Sequence, residues 1–220
     1  LFVTEQSGVD NLKNEGIDAS KVHFVGNVMI DTLLANKEKA DKSDILERLG
    51  LCAKEYAAIT LHRPSNVDDM DAFGRIVTAF EEIAKEMKLV FPIHPRTRDN
   101  IKGKGLEKRM EALSNLILLE PVGYLDFLCL MSNAALVLTD SGGIQEETTI
   151  LGIPCMTLRE NTERPVTITE GTNRLVHITT GDILYNYRQI RDGGTGSSGG
   201  IPKLWDGRAA ERIARIIGEA

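Results

Sequence analysis

Short apolar runs alternate with longer amphipathic segments along most of the chain. Runs rich in β-branched and other apolar residues predict strands at 22–25, 57–61, 89–93, 116–119, 135–139, 154–158 and 175–178. Segments with helical spacing predict helices at 28–40, 43–49, 69–87, 98–114, 124–132 and 144–151. The strands are mostly apolar throughout, which is typical of a parallel sheet covered by helices on both faces. The pattern therefore predicts the α/β class, with a doubly wound, Rossmann-like parallel sheet.

The two ends of the chain fall outside this alternation. Residues 1–20 precede the first complete βα unit, and the sequence opens without Met in the strand-like run "LFVTEQS". We interpret 1–20 as the end of a preceding domain or a linker of a longer protein, and 21–192 as the sheet domain. The stretch 193–203 is rich in Gly and Ser and predicts a loop of natural or engineered origin. Residues 204–220 predict a terminal helix that packs back on the body.

The amino-acid composition argues against two classes of binding partner, nucleic acids and membranes. The chain is 42% hydrophobic, enough for a substantial core, and its formal net charge of −6 argues against a nucleic-acid partner. Its apolar runs have the length of strands, so we expect no membrane partner. Cys52, Cys129 and Cys155 lie among apolar residues without metal-ligand spacing. We expect buried free thiols, no metal, and a cytoplasmic location.

A glycine pair follows the strand predicted at 135–139, in the run "TDSGGIQEE". The start of a helix offers unpaired N–H groups to a phosphate, and Gly142 and Gly143 would let it approach closely, with Ser141 adding a hydroxyl donor. Glu147 could accept hydrogen bonds from a ribose diol. The alternative is a plain strand-to-helix turn with a serine cap and glutamates that interact with the helix dipole.

Histidines and arginines follow two other predicted strands. His62 and Arg63 come directly after one strand, and His94, Arg96 and Arg98 come directly after the next. Such groups at the carboxyl ends of strands could hold a diphosphate or act on a leaving group. The alternative is that they are solvated loop residues.

Two further stretches could complete a cleft. Pro121, Tyr124 and Phe127 lie where a strand passes into a helix, so the aromatic rings could stack on a base or pack the helix on the sheet. Glu163 and Arg164 belong to the polar run "RENTERP", which is either a sugar-binding loop or a solvated one.

Together these stretches resemble one family. The runs "LHRPSNVD", "FPIHPRTRDNI", "EPVGYLDFLCLM" and "LTDSGGIQEETTILGIPCMTLRENTERP" are similar to the UDP-N-acetylglucosamine 2-epimerases. The resemblance extends from residue 1 to about 176 and resumes at "IPKLWDGRAAERIARII". It implies the C-terminal half of a type-B glycosyltransferase fold. It also implies interconversion of UDP-GlcNAc and UDP-ManNAc without a cofactor, by elimination and re-addition of UDP.

The resemblance also implies roles for individual residues. It implies that Ser141, Gly142 and Gly143 contact the diphosphate of UDP. Glu147 would contact the ribose. Pro121, Tyr124 and Phe127 would contact the uracil. His62 and Arg63 would assist the departure of UDP. The remaining cleft residues would be His94, Arg96, Glu163 and Arg164.

The family's acidic residues that move the C2 proton belong to an N-terminal domain that this sequence lacks. We therefore expect the chain alone to bind UDP weakly and not to turn over. Family members commonly form dimers through that domain, so the isolated chain could be a monomer. The alternatives are a hydrolysing 2-epimerase, a glycosyltransferase with another sugar nucleotide, or a natural or engineered nucleotide-binding scaffold without catalysis.

Overall fold

The computed structural model describes residues 1–102, 105–193 and 199–219, except for the side chain of Arg96. The strands are Phe2–Val3 (β1), His23–Phe24 (β2), Tyr56–Thr60 (β3), Lys88–Pro92 (β4), Leu116–Leu119 (β5), Leu136–Thr139 (β6), Cys155–Leu158 (β7) and Asn173–Val176 (β8). The helices are Gln6–Asn14 (α1), Val28–Ala40 (α2), Ile45–Arg48 (α3), Pro64–Val67 (α4), Met70–Ile83 (α5), Pro95–Lys102 (α6), Leu106–Glu111 (α7), Tyr124–Asn133 (α8), Gly142–Leu151 (α9), Val166–Thr169 (α10), Thr180–Arg191 (α11) and Ala209–Gly218 (α12). A 3-10 turn spans Ala19–Lys21.

Strands β3 to β8 form one parallel sheet in the order β5-β4-β3-β6-β7-β8. From β3 the chain moves outward through β4 and β5. It then crosses to the other side of β3 and moves outward again through β6, β7 and β8. The predicted doubly wound, Rossmann-like sheet is confirmed. The strand order reverses between β3 and β6, and in such sheets the ligand crevice lies beyond the carboxyl ends of those two strands.

Helices cover both faces of this sheet. On one face α5, α7 and α11 pack against Ile59 of β3 and Phe91 of β4, with Phe80 of α5 edge-on to Phe91 at 6.4 Å between ring centroids. On the other face α2, α3 and α8 pack against Ala58 of β3. Because neighbouring strand residues point to opposite faces and both faces are covered, consecutive positions such as Ala57, Ala58 and Ile59 are all apolar and buried.

Strands β1 and β2 form a separate two-stranded parallel sheet, with Phe2 opposite His23. The strand predicted at 22–25 therefore belongs to this small sheet and not to the six-stranded one. Gly26 ends β2 with a φ of 88°, and a Cβ placed there would lie 2.0 Å from the carbonyl oxygen of Leu204. A glycine is required at this position because the terminal segment crosses so close to it.

The terminal segment packs against both α2 and the small sheet. The Trp205 side chain is buried, and its Nε1 donates to the carbonyl of Thr4 at 2.8 Å. The carboxylate of Asp31 in α2 accepts from the backbone nitrogens of Ala209 and Ala210 at 3.1 and 2.7 Å. Asp31 thereby satisfies donors at the start of α12 that have no partner within the helix.

One helix prediction needs correction. The single helix predicted at 98–114 is wrong, because the structure has α6 and α7 there. Gly105 precedes α7 with a φ of 74°, a left-handed conformation that cannot lie inside a right-handed helix. The segment after β8 contains the helix α11. Of the Gly/Ser-rich segment predicted at 193–203, residues 194–198 lie outside the described part of the chain.

The three cysteines are free thiols. Cys129 and Cys155 are buried, as predicted, but Cys52 is exposed, so the prediction for Cys52 is wrong. Cys52 follows the buried Leu51 in the connection to β3, where the Glu55 backbone nitrogen donates to the Cys52 carbonyl at 3.3 Å in a surface turn. Within the described ranges, we find no helix that could cross a bilayer and no set of His, Cys, Asp and Glu that could bind a metal ion.

Candidate functional site

The ends of β3 and β6 are joined by one buried carboxylate. Asp140, the residue after β6, has no exposed surface. It accepts hydrogen bonds from the backbone nitrogens of His62 and Arg63, at 3.1 and 2.9 Å, and from Nδ2 of Asn66 at 3.1 Å. Its Oδ1 also lies 3.0 Å from Nδ1 of His62. Asp140 thereby fixes His62 and Arg63 at the mouth of the crevice.

Arg63 extends from this anchor into the crevice. Its Nε donates to the carbonyl of Asp140 at 2.8 Å. Its Nη2 lies 3.6 Å from Oε1 of Glu163, a residue of the connection between β7 and α10. The guanidinium therefore faces the start of α9 from the side of β3.

Helix α9 begins at the glycine pair beyond β6. The Ser141 backbone nitrogen donates to Oγ1 of Thr139 at 2.9 Å, and its hydroxyl makes no capping hydrogen bond within the described residues. A Cβ at Gly142 would lie 2.9 Å from Oε1 of Glu163, whereas a Cβ at Gly143 would meet none of the described atoms within 4 Å. The start of α9 thus faces open space beside Glu163, and its dipole favours an anion there.

Glu163 supplies an anion at this position. Its Oε2 lies 2.8 Å from Nη1 of Arg159, and its Oε1 lies between Arg63 and Gly142. Although partial burial opposes the shift, a backbone hydrogen bond and the Arg159 guanidinium lower the pKa of Glu163. Two guanidinium groups and a helix start therefore surround one carboxylate, an arrangement that also suits a phosphate.

Two glutamates of α9 are buried beside this turn. Glu146 is 3% exposed, and its Oε1 lies 2.5 Å from Nε of Arg164. Burial raises the pKa of Glu146, although Arg164 opposes the shift. Glu147 is 5% exposed, and burial followed by the charge of Glu146 raises its pKa to about 7. Its Oε2 is buried and has no hydrogen-bond partner among the described residues, so the fold leaves an acceptor on Glu147 unused.

Gln145 links the turn to the loop that carries Glu163. Its Nε2 donates to the carbonyl of Ser141 at 3.1 Å. Its Oε1 accepts from Oγ1 of Thr162 at 2.7 Å and from Nδ2 of Asn173 at 3.0 Å. This buried network fixes the position of the loop relative to the start of α9.

A cavity of about 240 Å³ lies beside the crevice, beyond the ends of β3, β4 and β5. Its walls are formed by Thr60, Leu61, His62, Pro92, His94, Pro121, Val122 and Phe127. These walls are mostly apolar, and two imidazoles border them. A cavity of this kind suits a flat heterocycle with a few polar atoms.

The structure brings most of the predicted site residues to one edge of the sheet. His62, His94, Pro121 and Phe127 line the cavity, while the predicted anion-binding residues surround the start of α9. Tyr124 does not line the cavity: it is exposed at the start of α8, where burial of its hydroxyl and then the charge of Glu147 raise its pKa.

The described contacts do not place two of the predicted cationic residues at the anion site. Arg98 forms an ion pair with Glu120. The side chain of Arg96 lies outside the described part of the structure. Sequence reasoning also missed four residues that shape the site, which are Asn66, Asp140, Gln145 and Arg159. The position of Asp140 at the end of a buried strand was the available signal for one of them.

Comparison with known proteins identifies the family of the chain. Residues 1–218 match the model of one protein family, described as UDP-N-acetylglucosamine 2-epimerase. The chain belongs to this family. The family resemblance predicted from the sequence is therefore confirmed, and the site lies in the part of the chain that the family model covers.

Individual family members match most of this chain and about half of their own length. A UDP-N-acetylglucosamine 2-epimerase of Methanococcus maripaludis is 41% identical over 180 residues, covering 80% of this chain and 49% of the relative. A UDP-2,3-diacetamido-2,3-dideoxy-D-glucuronate 2-epimerase of Pseudomonas aeruginosa is 36% identical, covering 99% of this chain and 59% of the relative.

A solved structure of the family has the same fold. The crystal structure of the Methanocaldococcus jannaschii UDP-GlcNAc 2-epimerase, in complex with UDP-GlcNAc and UDP, superposes with a TM-score of 0.89 at 36% identity. The match covers 100% of this chain and 61% of that one. The chain thus spans about half to three fifths of the length of the family members it matches.

Proposed function

We propose that this chain is the UDP-binding part of a UDP-N-acetylglucosamine 2-epimerase. The observation that carries the proposal is the anion site at the start of α9, where Gly142, Arg63 and Arg159 surround the carboxylate of Glu163. This site lies in the crevice at which the strand order reverses, where doubly wound sheets bind their ligands.

The parts of UDP fit three neighbouring features. The diphosphate lies at the start of α9 and takes the backbone N–H groups of Gly142 and Gly143 and the hydroxyl of Ser141. The ribose hydroxyls bind the buried carboxyl of Glu147, which has a free oxygen, and Tyr124 lies beside them.

The uracil occupies the neighbouring cavity, between Pro121 and Phe127. Its volume and apolar walls suit a pyrimidine ring stacked on an aromatic side chain.

The chemistry acts on the bond between the sugar and UDP. Loss of the C2 proton and departure of UDP from C1 place negative charge on the diphosphate. His62 and Arg63 lie where that charge develops. The guanidinium of Arg63 is a preorganised cation that stabilises this charge without reorganisation. His62 can donate a hydrogen bond to it from Nε2 once that nitrogen carries a proton. On the sugar side, we assign contacts to His94, Arg96, Glu163 and Arg164. The groups that move the C2 proton belong to the part of the relatives that this chain does not span, so the chain alone binds UDP without turnover.

The sugar attached to UDP also has to be assigned. The Methanococcus and Pseudomonas relatives are named for different UDP-sugars, and UDP is common to both names. We assign UDP-GlcNAc as the substrate, with the diacetamido glucuronate as the alternative. The longer protein works without a cofactor, as a cytoplasmic homodimer.

A calorimetric titration with UDP tests the binding proposal. We expect saturable binding, weakened at least about 10-fold by Arg63→Ala, because the variant removes a cation at the diphosphate. The matched control is Arg191→Ala, which breaks an ion pair with Glu86 on the surface away from the crevice. CDP should bind more weakly than UDP if the base lies in the cavity. Absence of binding at millimolar UDP would overturn the proposal, and epimerisation of UDP-GlcNAc by the purified chain would overturn the claim that it is inactive.

A further inference from the structure

The contact with Asp140 distinguishes the two ring nitrogens of His62. Nδ1 of His62 lies 3.0 Å from the Asp140 carboxylate, which is fully buried. The imidazole itself is half exposed and borders the cavity. One ring nitrogen therefore faces the protein interior, and the other, Nε2, is on the side that a ligand can reach.

The Asp140 carboxylate is held by several other donors. It accepts from the backbone nitrogens of His62 and Arg63 and from Nδ2 of Asn66. Asn66 is itself oriented by a hydrogen bond to the carbonyl of Leu158 at 3.0 Å. An ionised carboxylate can only accept hydrogen bonds, so its contact with Nδ1 requires that Nδ1 carries a proton.

We propose that Asp140 is a positioning residue that holds His62 in the Nδ1–H tautomer and leaves Nε2 as the nitrogen that meets the ligand. In this tautomer the neutral ring presents a lone pair to the crevice. Nε2 can donate a hydrogen bond to a phosphate oxygen only after it takes up a proton. The resulting imidazolium has Asp140 behind it as a counter-charge, the arrangement by which a buried carboxylate orients an active-site histidine.

Proton uptake at Nε2 of His62 next to a diphosphate rests on the proposed function, because it requires UDP in the crevice. Among the described residues, His94 borders the same cavity as His62, and the backbone of Arg63 donates to the same Asp140 carboxylate. Proton uptake at Nε2 would turn His62 from an acceptor into a cation as UDP binds. The proton comes from solvent and stays on the ring while the diphosphate is bound.

The tautomer can be read directly in the free chain. Long-range ¹H–¹⁵N correlation of the ¹⁵N-histidine-labelled protein distinguishes protonated from unprotonated ring nitrogens, and His62→Gln identifies the His62 signals. When the ring of the free chain carries a single proton, we expect that proton on Nδ1, because this nitrogen faces the Asp140 carboxylate. A wild-type ring that carries its proton on Nε2 would overturn the proposal, whatever the variants do.

Asp140→Asn tests the cause of the tautomer. The amide keeps an oxygen for the backbone donors and can present an N–H to Nδ1, so the ring should change to the Nε2–H tautomer. The matched control is Glu160→Gln, which alters the exposed pair with Nδ1 of His177, at 3.1 Å. It should leave the His62 signals unchanged. An Asp140→Asn chain that is folded by its amide spectrum but keeps the Nδ1–H tautomer would refute the role of Asp140.

Addition of UDP separates this inference from the proposed function. In the wild type, Nε2 of His62 should take up a proton from solvent when UDP binds, so that both ring nitrogens are protonated. In Asp140→Asn the ring should stay neutral and donate from Nε2. If the wild type has the Nδ1–H tautomer and UDP changes no signal, Asp140 keeps its positioning role and the nucleotide proposal fails. If UDP binds and the wild-type His62 remains neutral, the proposed proton uptake is wrong.

Discussion

The carboxylate of Glu163 stands where a side chain at Gly142 would be, since its Oε1 lies 2.9 Å from the position of a Cβ on that glycine. An internal anion therefore already occupies the space beside the start of α9. A phosphate that binds there must displace this carboxylate or share its partners, Arg63 and Arg159.

Glu163→Gln should strengthen the binding of UDP. The variant removes a negative charge that competes for Arg63 and Arg159, so we expect a dissociation constant about 2- to 5-fold lower, as for the loss of one partly exposed ion pair. Calorimetry measures the change. Glu160→Gln, in the same loop, removes an equal charge outside the crevice and should have little effect. Unchanged or weaker binding by Glu163→Gln would contradict competition between the carboxylate and the phosphate.

Gly142→Ala should weaken UDP binding without weakening the fold. The added Cβ meets the end of the Glu163 side chain, which can move, so the free energy of unfolding should change by less than about 0.5 kcal/mol. The same Cβ would block the close approach of a phosphate to the backbone, and we expect at least about 10-fold weaker binding.

Gly74→Ala is the control for a glycine-to-alanine change in a helix. Gly74 lies inside α5, and a Cβ there meets none of the described atoms within 4 Å. This variant should leave UDP binding unchanged and raise the free energy of unfolding by about 0.5 to 1 kcal/mol. Equal binding by Gly142→Ala and Gly74→Ala would exclude a phosphate at Gly142.

Glu147 should make stability depend on pH. Burial and the charge of Glu146 raise its pKa from 4.5 to about 7. The folded chain thus keeps a proton that the unfolded chain releases, so the free energy of unfolding falls by about 3 kcal/mol as the pH rises from about 4.5 to 7. Above about pH 7 this contribution is constant.

Glu147→Gln removes this loss, so the variant should gain stability relative to the wild type across that pH window. Urea denaturation at pH values below and above the window measures the difference. Glu38→Gln, on the exposed face of α2, should follow the wild type at every pH. Parallel pH profiles for the wild type and Glu147→Gln would show that Glu147 titrates normally.

Gly26→Ala should be strongly destabilising. Its φ is 88°, and the new Cβ would lie 2.0 Å from the Leu204 carbonyl oxygen, so the backbone of the terminal segment has to move. We expect a loss of more than about 3 kcal/mol in the free energy of unfolding. Gly16→Ala has a similar φ of 79° but no described atom within 4 Å of the new Cβ, so it should lose only about 1 to 2 kcal/mol. Equal losses would mean that the crossing at Gly26 is not tight.

The elements that could be predicted correctly from the sequence are those whose apolar spacing and end signals lie within their own segment. The predicted bounds of α2 and β5 match the structure, because their apolar spacing and flanking residues are local. The break between α6 and α7 depends on the left-handed conformation of Gly105, which the periodicity of 98–114 does not show. The exposure of Cys52 depends on the direction of one side chain in a connection, which composition does not determine.

The site was predicted by residue type but not by its internal contacts. His62, Ser141 and Glu147 could be chosen because each follows a strand or begins a helix. The bond from the His62 backbone to Asp140 joins residues 78 positions apart, and it exists only because β3 and β6 are neighbours in the sheet. That adjacency follows from the strand order, which the linear pattern of strands and helices does not specify.

The hydrogen bond from Trp205 to Thr4 joins residues 201 positions apart. Trp205 therefore emerges from the ribosome long after Thr4. The six-stranded sheet can assemble from contacts between nearer segments, but the docking of Trp205 has to wait until the whole intervening chain has been synthesised. The small sheet keeps an unfilled apolar surface until then, so this surface of the nascent chain is exposed to aggregation.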